Sequence, residues 1–335
     1  MKIKITLSII IASLSFLSFN LKELSLNYPG YFPAPEYDLK NNPLDSNYIE
    51  LGRKLFYDPI LSADNSTSCA SCHSPYNAFA HTDHSLSHGI NNETGTRNAP
   101  ALFNLAWQKQ FMWDGAINNL DVQALAPISH PKEMGSSIKE VLYKLNTSPA
   151  YNTLFAKIYG ENSITGERVL KALSQFQLSL VSANAKYDQV KQGKASFTTE
   201  EAIGYNLFLQ NCNSCHTEPM FTNYKFANNG LTVDTSLNDF GRWMITKESA
   251  DSLMFKTPSL RNLRYSYPYM HDGRFSTVQQ VVDYYMRDIK KYKNLSPPLN
   301  TPIILSPVDK INLLAFLNTL NDEEFIRNTK YQYPK

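Results

Sequence analysis

The cysteines of this sequence fall into two short motifs with specific chemistry. CASCH covers residues 69–73 and CNSCH covers residues 212–216, and together they contain all four cysteines of the chain. Two thiols at this spacing can add to the two vinyl groups of one porphyrin, and the adjacent histidine can then ligate its iron. The sequence therefore predicts two covalently bound c-type haems, held by Cys69, Cys72, His73, Cys212, Cys215 and His216.

Other uses of four cysteines explain the motifs less well. Two disulfides would suit an exported protein but would leave both adjacent histidines unexplained. A compact zinc site needs its two cysteine pairs roughly 15 to 20 residues apart, whereas these pairs lie in opposite halves of the chain. Thioredoxin-type exchange needs one pair within a β-α-β pattern, which the sequence lacks. Haem attachment at both motifs is therefore favoured.

The two haem segments resemble copies of one unit. GRKLF precedes the first motif as GYNLF precedes the second, and residues 98–115 align without a gap with residues 256–273, with seven identities in 18 positions. Such self-similarity indicates an internal repeat. Trp113 falls opposite His271 in this alignment. We therefore expect the two haems to perform different tasks within similar frameworks.

The elements that must position these motifs are helices. Apolar residues recur every three to four positions in six segments, several of them preceded by a Ser or Thr that can cap a helix. No alternating strand pattern of any length competes with them. The predicted fold class is mainly α, with two cytochrome c-like haem domains in tandem and long loops. The six predicted helices cover residues 46–58, 136–145, 165–183, 198–210, 277–286 and 306–320.

The predicted division of the chain follows the repeat. A polar, glycine-containing stretch at residues 185–197 separates the copies and is typical of a domain boundary. We therefore predict an N-terminal haem domain at residues 21–185 and a C-terminal haem domain at residues 186–335.

The first 20 residues carry a targeting pattern. Lys2 and Lys4 precede an uncharged, mostly apolar run at residues 5–19, which is shorter than the roughly 20 residues that a membrane-spanning helix needs. Residues 1–20 are therefore predicted to be a signal peptide or a retained N-terminal anchor. Either alternative places the folded part in the periplasm or outside the cell, and the periplasm is the predicted location.

Composition sets outer limits on the function. The chain has 335 residues, of which 42% are hydrophobic and 19% charged, so neither a disordered chain nor a multi-span membrane protein is expected. Its length suits about two domains. A formal net charge of +2 gives no basic face that would argue for a nucleic-acid partner.

The order of motifs resembles that of one known family, the bacterial di-haem cytochrome c peroxidases and their MauG-like relatives. The likeness extends from about Pro43 to Phe325, which is nearly the whole mature chain. The segments that carry it are LGRKLFYDPILS, SCASCH, GTRNAPALFN, FMWDG, KEMG, NCNSCH, FKTPSLRN and PYMHDGRF.

The resemblance implies a division of labour between the haems. His73 would ligate the iron of an N-terminal peroxidatic haem, and His216 would ligate that of a C-terminal electron-transfer haem. Trp113 matches a tryptophan that lies between the haems and relays electrons. Gln123 and Glu133 match the distal pair of the peroxidatic haem, with Glu133 as the acid and base that moves a proton between the peroxide oxygens.

The resemblance also implies sixth ligands for both irons. Among His81, His84 and His88, the last has nearly the spacing of the histidine that caps the peroxidatic iron in the resting state. For the second iron, Tyr285 stands at the matching position and Met286 follows it. A thioether ligand would raise the potential of that haem and a phenolate would lower it.

Two further positions follow from the same resemblance. His271 matches a histidine near the second haem and is expected beside the iron's ligands rather than as one of them. A calcium ion is expected between the domains, bound by Asn98 and by backbone groups of Ser266 and Pro268, with waters completing its coordination.

The function predicted on these grounds is reduction of hydrogen peroxide to water with electrons from a small redox protein, a cytochrome c or a cupredoxin. A homodimer is a further expectation. Two alternatives stay open: a MauG-like oxidase of a protein side chain, and a non-enzymatic di-haem electron carrier.

Overall fold

The structure is a computed structural model that describes residues 24–161 and 163–334. The predicted signal peptide or anchor at residues 1–20 lies outside the described residues. Among the helices that are described, none is long and apolar enough to cross a membrane.

The described chain is mainly helical, as the sequence predicts. Its sheet consists of two antiparallel two-residue strands, β1 (Phe226–Ala227) and β2 (Phe255–Lys256), in which Phe226 pairs with Lys256. The α-helices are α1 (Ser46–Tyr57), α2 (Cys69–Cys72), α3 (Leu120–Gln123), α4 (Leu125–Ser129), α5 (Ile138–Thr147), α6 (Pro149–Tyr159), α7 (Gly166–Ser179), α8 (Lys186–Lys191), α9 (Thr199–Asn211), α10 (Trp243–Thr246), α11 (Val278–Arg287), α12 (Pro307–Asn318) and α13 (Glu323–Arg327).

All six predicted helices form, as α1, α5, α7, α9, α11 and α12. Their starts have local causes. Thr198 and Glu201 form a reciprocal capping box at the start of α9, and Ser306 and Asp309 form another at the start of α12. Helix α7 ends at Ser179, four residues before the predicted end.

A tertiary contact explains the early end of α7. The Asn104 backbone N–H donates to the Leu180 carbonyl at 2.9 Å, and the Asn104 side chain exchanges two hydrogen bonds with the backbone of Ser182. These bonds use backbone groups that a longer helix would need. The sequence analysis missed α6, although Pro149 in its first turn and Gly160 just after its end are helix-boundary signals.

The internal repeat recurs in three dimensions as two matching helix crossings. Helix α1 packs on α7, and α9 packs on α12. A Cβ atom on Gly52 would lie 1.8 Å from the carbonyl oxygen of Ala172, and one on Gly204 would lie 1.9 Å from that of Asn312. The glycines of GRKLF and GYNLF therefore allow the same close backbone approach in each copy.

The aligned segments 98–115 and 256–273 share an unusual backbone. Left-handed φ angles occur at the same places in both: 54° and 60° at Asn104 and Asn262, 67° and 73° at Met112 and Met270, and 72° and 67° at Gly115 and Gly273. Non-glycine residues adopt this conformation rarely, so its recurrence is strong evidence of a common local fold.

The two segments also bond to each other reciprocally. The Asn98 N–H donates to the His271 carbonyl at 2.7 Å, and the Lys256 N–H donates to the Trp113 carbonyl at 2.7 Å. Asn98 aligns with Lys256, and Trp113 aligns with His271. The copies therefore meet across a local pseudo-two-fold axis, with Trp113 and His271 at equivalent places beside it.

The polar stretch between the copies is more ordered than its composition suggests. It contains α8, in which Tyr187 and Asp188 are fully buried. Asp188 accepts two hydrogen bonds of 2.8 Å from the fully buried guanidinium of Arg261 and one of 2.6 Å from the Tyr31 hydroxyl. Because a buried charge is tolerated only when paired, this ion pair ties the stretch to the second copy.

The last described residues return to the first copy. Phe325 and Ile326 of α13 belong to the apolar core formed around α1, α5, α6 and α7. A separate core of the second copy includes Tyr187, Phe208 and Phe316. The division into domains at residues 21–185 and 186–335 stays a prediction, and the C-terminal segment links the two regions.

Candidate functional site

Both cysteine motifs open into one continuous cavity of about 820 Å³. No disulfide joins the four cysteines in the described chain. Apolar side chains dominate much of the wall, which suits a large planar hydrophobic group with a few polar contacts. The motif residues in the wall are Cys72, His73, Cys212, Cys215 and His216.

The first motif presents an imidazole nitrogen ready for a metal. Cys69–Cys72 form the short helix α2, and His73 follows at its C-terminus. His73 Nδ1 lies 2.7 Å from the Phe79 carbonyl oxygen, which can only accept, so Nδ1 carries the proton and Nε2 keeps its lone pair. Burial lowers the pKa of His73 to about 4, so the ring is neutral at neutral pH.

The second motif repeats this arrangement. His216 Nδ1 lies 3.1 Å from the Pro258 carbonyl and 3.3 Å from the Phe221 carbonyl. Burial lowers the pKa of His216 to about 4 as well. At both motifs the donor set, two thiols and one oriented neutral imidazole on the wall of an apolar cavity, fits a c-type haem.

Glu133 and Gln123 lie in the wall of the same cavity as His73. Burial raises the pKa of the Glu133 carboxyl, and the neighbouring His130 opposes this rise. Gln123 ends α3, and its side-chain amide donates to the sulfur of Met112 at 3.6 Å. The structure thus brings both residues of the predicted distal pair to the first motif's cavity, and their roles stay a prediction.

A close backbone contact holds the loop that carries Glu133. The Ile90 N–H donates to the Glu133 carbonyl at 2.8 Å. A Cβ atom on Gly89 would lie 2.1 Å from the Lys132 carbonyl oxygen and 2.5 Å from the Glu133 Cα. Only glycine allows this approach, so residue 89 fixes the distance between the histidine-containing loop and Glu133.

Trp113 lies in the cavity wall together with residues of both motifs. Its indole Nε1 donates to the Asn98 carbonyl at 2.9 Å, and its own carbonyl accepts from the Lys256 N–H. The indole is therefore held by the first copy, and the backbone of the same residue is held by the second.

The structure separates the two neighbouring candidates for the second sixth ligand. Tyr285 lines the cavity, and its hydroxyl accepts from the Asn229 side chain at 3.3 Å. Burial raises the pKa of Tyr285 to about 12. Met286 instead packs against the apolar core of the second copy. A methionine does reach the same place, because Asn229 also donates to the sulfur of Met270 at 3.5 Å.

The three loop histidines lie in a row beside the first motif. His81 Nε2 is 3.4 Å from His84 Nδ1, and the rings of His84 and His88 have centroids 4.4 Å apart. His88 Nδ1 lies 3.2 Å from Asn92 Oδ1. The backbone carbonyl of His88 accepts a hydrogen bond from the Cys72 thiol. Among the described residues these rings do not line the cavity, and ligation by His88 stays a prediction.

The predicted calcium residues Asn98, Ser266 and Pro268 all lie in the cavity wall. The Asn98 amide group donates to the Ser85 carbonyl at 3.0 Å. The described chain has no cluster of His, Cys, Asp or Glu that could hold a metal, so such a site would depend on amide and carbonyl oxygens. Calcium binding stays a prediction.

His271 lies against an aromatic ring in the cavity wall. It stacks on Phe255 with ring centroids 3.7 Å apart. Burial lowers its pKa, while Asp272 and Asp239 oppose this shift. The ring lines the cavity, and its predicted place near the second haem is untested.

The sequence analysis missed Lys256, which lines the cavity. Its ammonium donates to the Gln108 side chain at 2.6 Å and to the Gln110 carbonyl at 2.7 Å, and burial lowers its pKa to about 7. Together with its backbone bond to Trp113, these bonds fasten the loop of the first copy to β2. In the sequence, the only sign of this role was that Lys256 aligns with Asn98 in the internal repeat.

A buried ionic cluster beside Trp113 was missed as well. Arg97 bonds to Asp239 and to Asp114 at 2.6 Å each. Because Arg97 and Asp114 belong to the first copy and Asp239 to the second, the guanidinium bridges the copies where they meet.

Comparisons with known proteins agree with this geometry. A sequence model of the family described as di-haem cytochrome c peroxidase matches residues 46–196. The chain is similar to the methylamine utilization protein MauG of Methylorubrum extorquens, with 37% identity over 296 residues that cover 85% of this chain and 81% of the relative. It is also similar to the cytochrome c551 peroxidase of Nitrosomonas europaea, with 34% identity over 288 residues, 84% of this chain and 82% of the relative.

A solved structure shows the same fold. The crystal structure of a MauG-like protein associated with microbial copper homeostasis has a TM-score of 0.84 with this structure and 30% sequence identity. The match covers 93% of this chain and 99% of that chain. The similarity therefore extends over both copies of the repeat.

Proposed function

Because the chain belongs to the di-haem cytochrome c peroxidase family, it is an oxidoreductase that acts on peroxide, and we propose that it reduces hydrogen peroxide to water in the cavity beside His73. The observation that carries this proposal is the shared wall: Glu133 and Gln123 face the same space as the first cysteine motif.

We assign one covalent haem to each motif, in tandem domains at residues 21–185 and 186–335. When bound, the haem iron of the first motif supplies the redox chemistry that breaks the peroxide O–O bond. His73 and His216 would hold the irons through Nε2, since Nδ1 of each ring is bound to a backbone carbonyl. This orientation is fixed by the fold before any ligand arrives.

Glu133 performs the proton transfer. Its carboxylate takes a proton from one peroxide oxygen and returns it to the other, which then leaves as water. A raised pKa suits this role, because the carboxyl must both gain and lose a proton near neutral pH. The Gln123 amide orients the substrate from the end of α3.

The second motif is the entry point for electrons from a small donor protein, a cytochrome c or a cupredoxin. Trp113 contacts both copies at their junction and suits a relay between them. We place the enzyme in the periplasm, with residues 1–20 as its export signal or anchor. Calcium held by Asn98, Ser266 and Pro268 would brace this junction.

Replacing the Glu133 carboxyl tests the proposed function. Glu133→Gln keeps the size and polarity of the side chain but removes its acid–base chemistry. We expect peroxide turnover to fall by roughly 100-fold or more, with both haems still attached. Steady-state peroxide consumption with a reduced donor and haem content per chain are the measurements. Glu93→Gln, at an exposed loop carboxylate, is the matched control; equal turnover in both variants would contradict the assignment.

A MauG-like oxidation of a protein side chain is the second candidate function. The observation that favours it is Tyr285, rather than Met286, in the cavity wall. Such an enzyme consumes peroxide without a reduced donor while a partner protein becomes oxidised. A peroxidase requires the donor, and a pure electron carrier consumes no peroxide above the level of free haem, so one assay with and without donor separates the three functions.

A further inference from the structure

His130 and Glu133 are held side by side by a tight turn. The Glu133 and Gly135 N–H groups both donate to the His130 carbonyl, at 3.0 and 2.9 Å. Pro131 occupies the second position of this turn, where its fixed φ is favourable. The first and last residues of such a turn face each other, and His130 Nδ1 lies 3.5 Å from the Glu133 carboxyl oxygen Oε1.

The two side chains differ in their access to water. Both line the cavity, but the His130 side chain is 46% exposed and that of Glu133 is 35% exposed. The His130 side chain is therefore the more exposed of the two. We propose that His130 is a proton-relay residue of the first site, which passes protons from solvent to the Glu133 carboxylate; this inference rests on the proposed function.

The stoichiometry of the reaction requires a route of this kind. One hydrogen peroxide, two electrons from the donor protein and two protons give two waters, so each turnover draws two protons into the cavity. Glu133 moves a proton between the peroxide oxygens but cannot create the additional ones. They must come from solvent, and the partly exposed His130 side chain, 3.5 Å from the Glu133 carboxyl oxygen, offers such a route.

The bonding of His130 defines the atoms of the relay. The Lys132 N–H donates to His130 Nδ1 at 3.3 Å, so the neutral ring carries its proton on Nε2 and keeps Nδ1 as a base. Nδ1 takes a proton from a hydronium ion of the solvent, which leaves as water, and the imidazolium forms as the Lys132 N–H hydrogen bond is released. The new Nδ1–H bond then breaks as the proton passes to Glu133 Oε1, and the ring returns to its starting tautomer.

Few other ionisable groups face this pair. His130 is the ionisable group whose charge lowers the pKa of Glu133. The Glu133 carboxylate in turn raises the pKa of the thiols of Cys69 and Cys72. Haem attachment converts both thiols into thioethers, which do not titrate. Lys132 meets the His130 ring through its backbone alone among the contacts described. The relay therefore depends on one histidine.

The holoenzyme variant His130→Gln tests the relay, with Lys139→Gln, at an exposed lysine of α5, as control. We expect turnover at neutral pH to fall about 10-fold, below the usual range for direct acid–base groups, with haem content unchanged. The pH profile of turnover should change its shape in His130→Gln. Lys139→Gln should behave as the unaltered enzyme in each measurement.

A second readout does not depend on activity. The infrared C=O band of protonated Glu133, identified by its loss in Glu133→Gln, is titrated with pH; losing the nearby imidazolium should move its midpoint upward. An unchanged midpoint together with an unchanged pH profile overturns the relay, even if turnover falls for structural reasons. If His130→Gln is unaffected while Glu133→Gln is inactive, the relay is wrong and the proposed function stands; if both are fully active, the proposed function itself fails.

Discussion

Tyr285 and Met286 are adjacent on α11 and meet different surroundings. The Tyr285 hydroxyl accepts from Asn229 inside the cavity, whereas Met286 packs into the apolar core of the second copy. Consecutive residues of a helix point about 100° apart, so one turn of the helix cannot present both to the same space. At the residue scale, Tyr285 therefore presents a phenol to the cavity, and burial raises its pKa to about 12.

Tyr285→Phe is predicted to change the absorption and paramagnetic-resonance spectra of the second haem and to shift its reduction potential, because the variant removes the oxygen that faces the cavity. Met286→Leu, a volume-conserving change at a core position, is the matched control and should leave both properties as they are. If the spectra of the second haem change in Met286→Leu and not in Tyr285→Phe, the Tyr285 phenol is not the group that faces that haem.

At the scale of elements, each haem motif follows a helix that crosses a later helix at a glycine. Gly52 lets α1 approach Ala172 of α7, and Gly204 lets α9 approach Asn312 of α12. A side chain at either position would meet backbone, which cannot rotate away. The helix that precedes each motif is thereby held at one distance from the helix that closes the same copy.

Gly52→Ala and Gly204→Ala are each predicted to destabilise the protein by about 3 kcal/mol or more, since the added methyl must displace a carbonyl from a packed crossing. Urea unfolding of the holoenzyme provides the measurement. Gly30→Ala introduces the same methyl where no atom lies within 4 Å and should change stability by less than about 0.5 kcal/mol. A similar free energy of unfolding for all three variants would show that the helix backbones at Gly52 and Gly204 do not approach each other this closely.

At the scale of the whole molecule, helix α13, which follows the second copy, packs into the core of the first copy. Phe325 is 4% exposed and packs edge-on against Phe103 and at an angle to Phe79, with ring centroids 6.0 Å away in each case. The Phe79 carbonyl is the acceptor that orients His73. The segment that follows the second copy thus supports the backbone of the first haem site.

Phe325→Ala is predicted to lower the free energy of unfolding by about 3 to 5 kcal/mol, because it leaves a cavity in the first core. The visible spectrum of the first haem should also become more sensitive to pH, as the Phe79 carbonyl loses its support. Val308→Ala, at a side chain 64% exposed on α12, controls for loss of an apolar side chain. If the visible spectrum of the first haem depends on pH in the same way in Phe325→Ala and in Val308→Ala, Phe325 does not support the first haem site.

The sequence by itself determined the features that depend on neighbours along the chain. The thiol spacing and adjacent histidine of each motif, the six amphipathic helices and the repeat of residues 98–115 at 256–273 are local patterns, and the structure confirms the helices and the common backbone of the repeat. Local sequence suffices there because hydrogen bonding within a helix, and covalent spacing within a motif, involve residues a few positions apart.

Only the tertiary structure decided what each candidate side chain faces. It placed Tyr285 rather than Met286 in the cavity, fastened Lys256 to the loop of Trp113, buried Asp188 of the expected boundary against Arg261, and set the exposed ring of His130 beside Glu133 in the cavity wall. Burial and charge pairing depend on which distant segments pack together, and no periodicity along the chain encodes that choice.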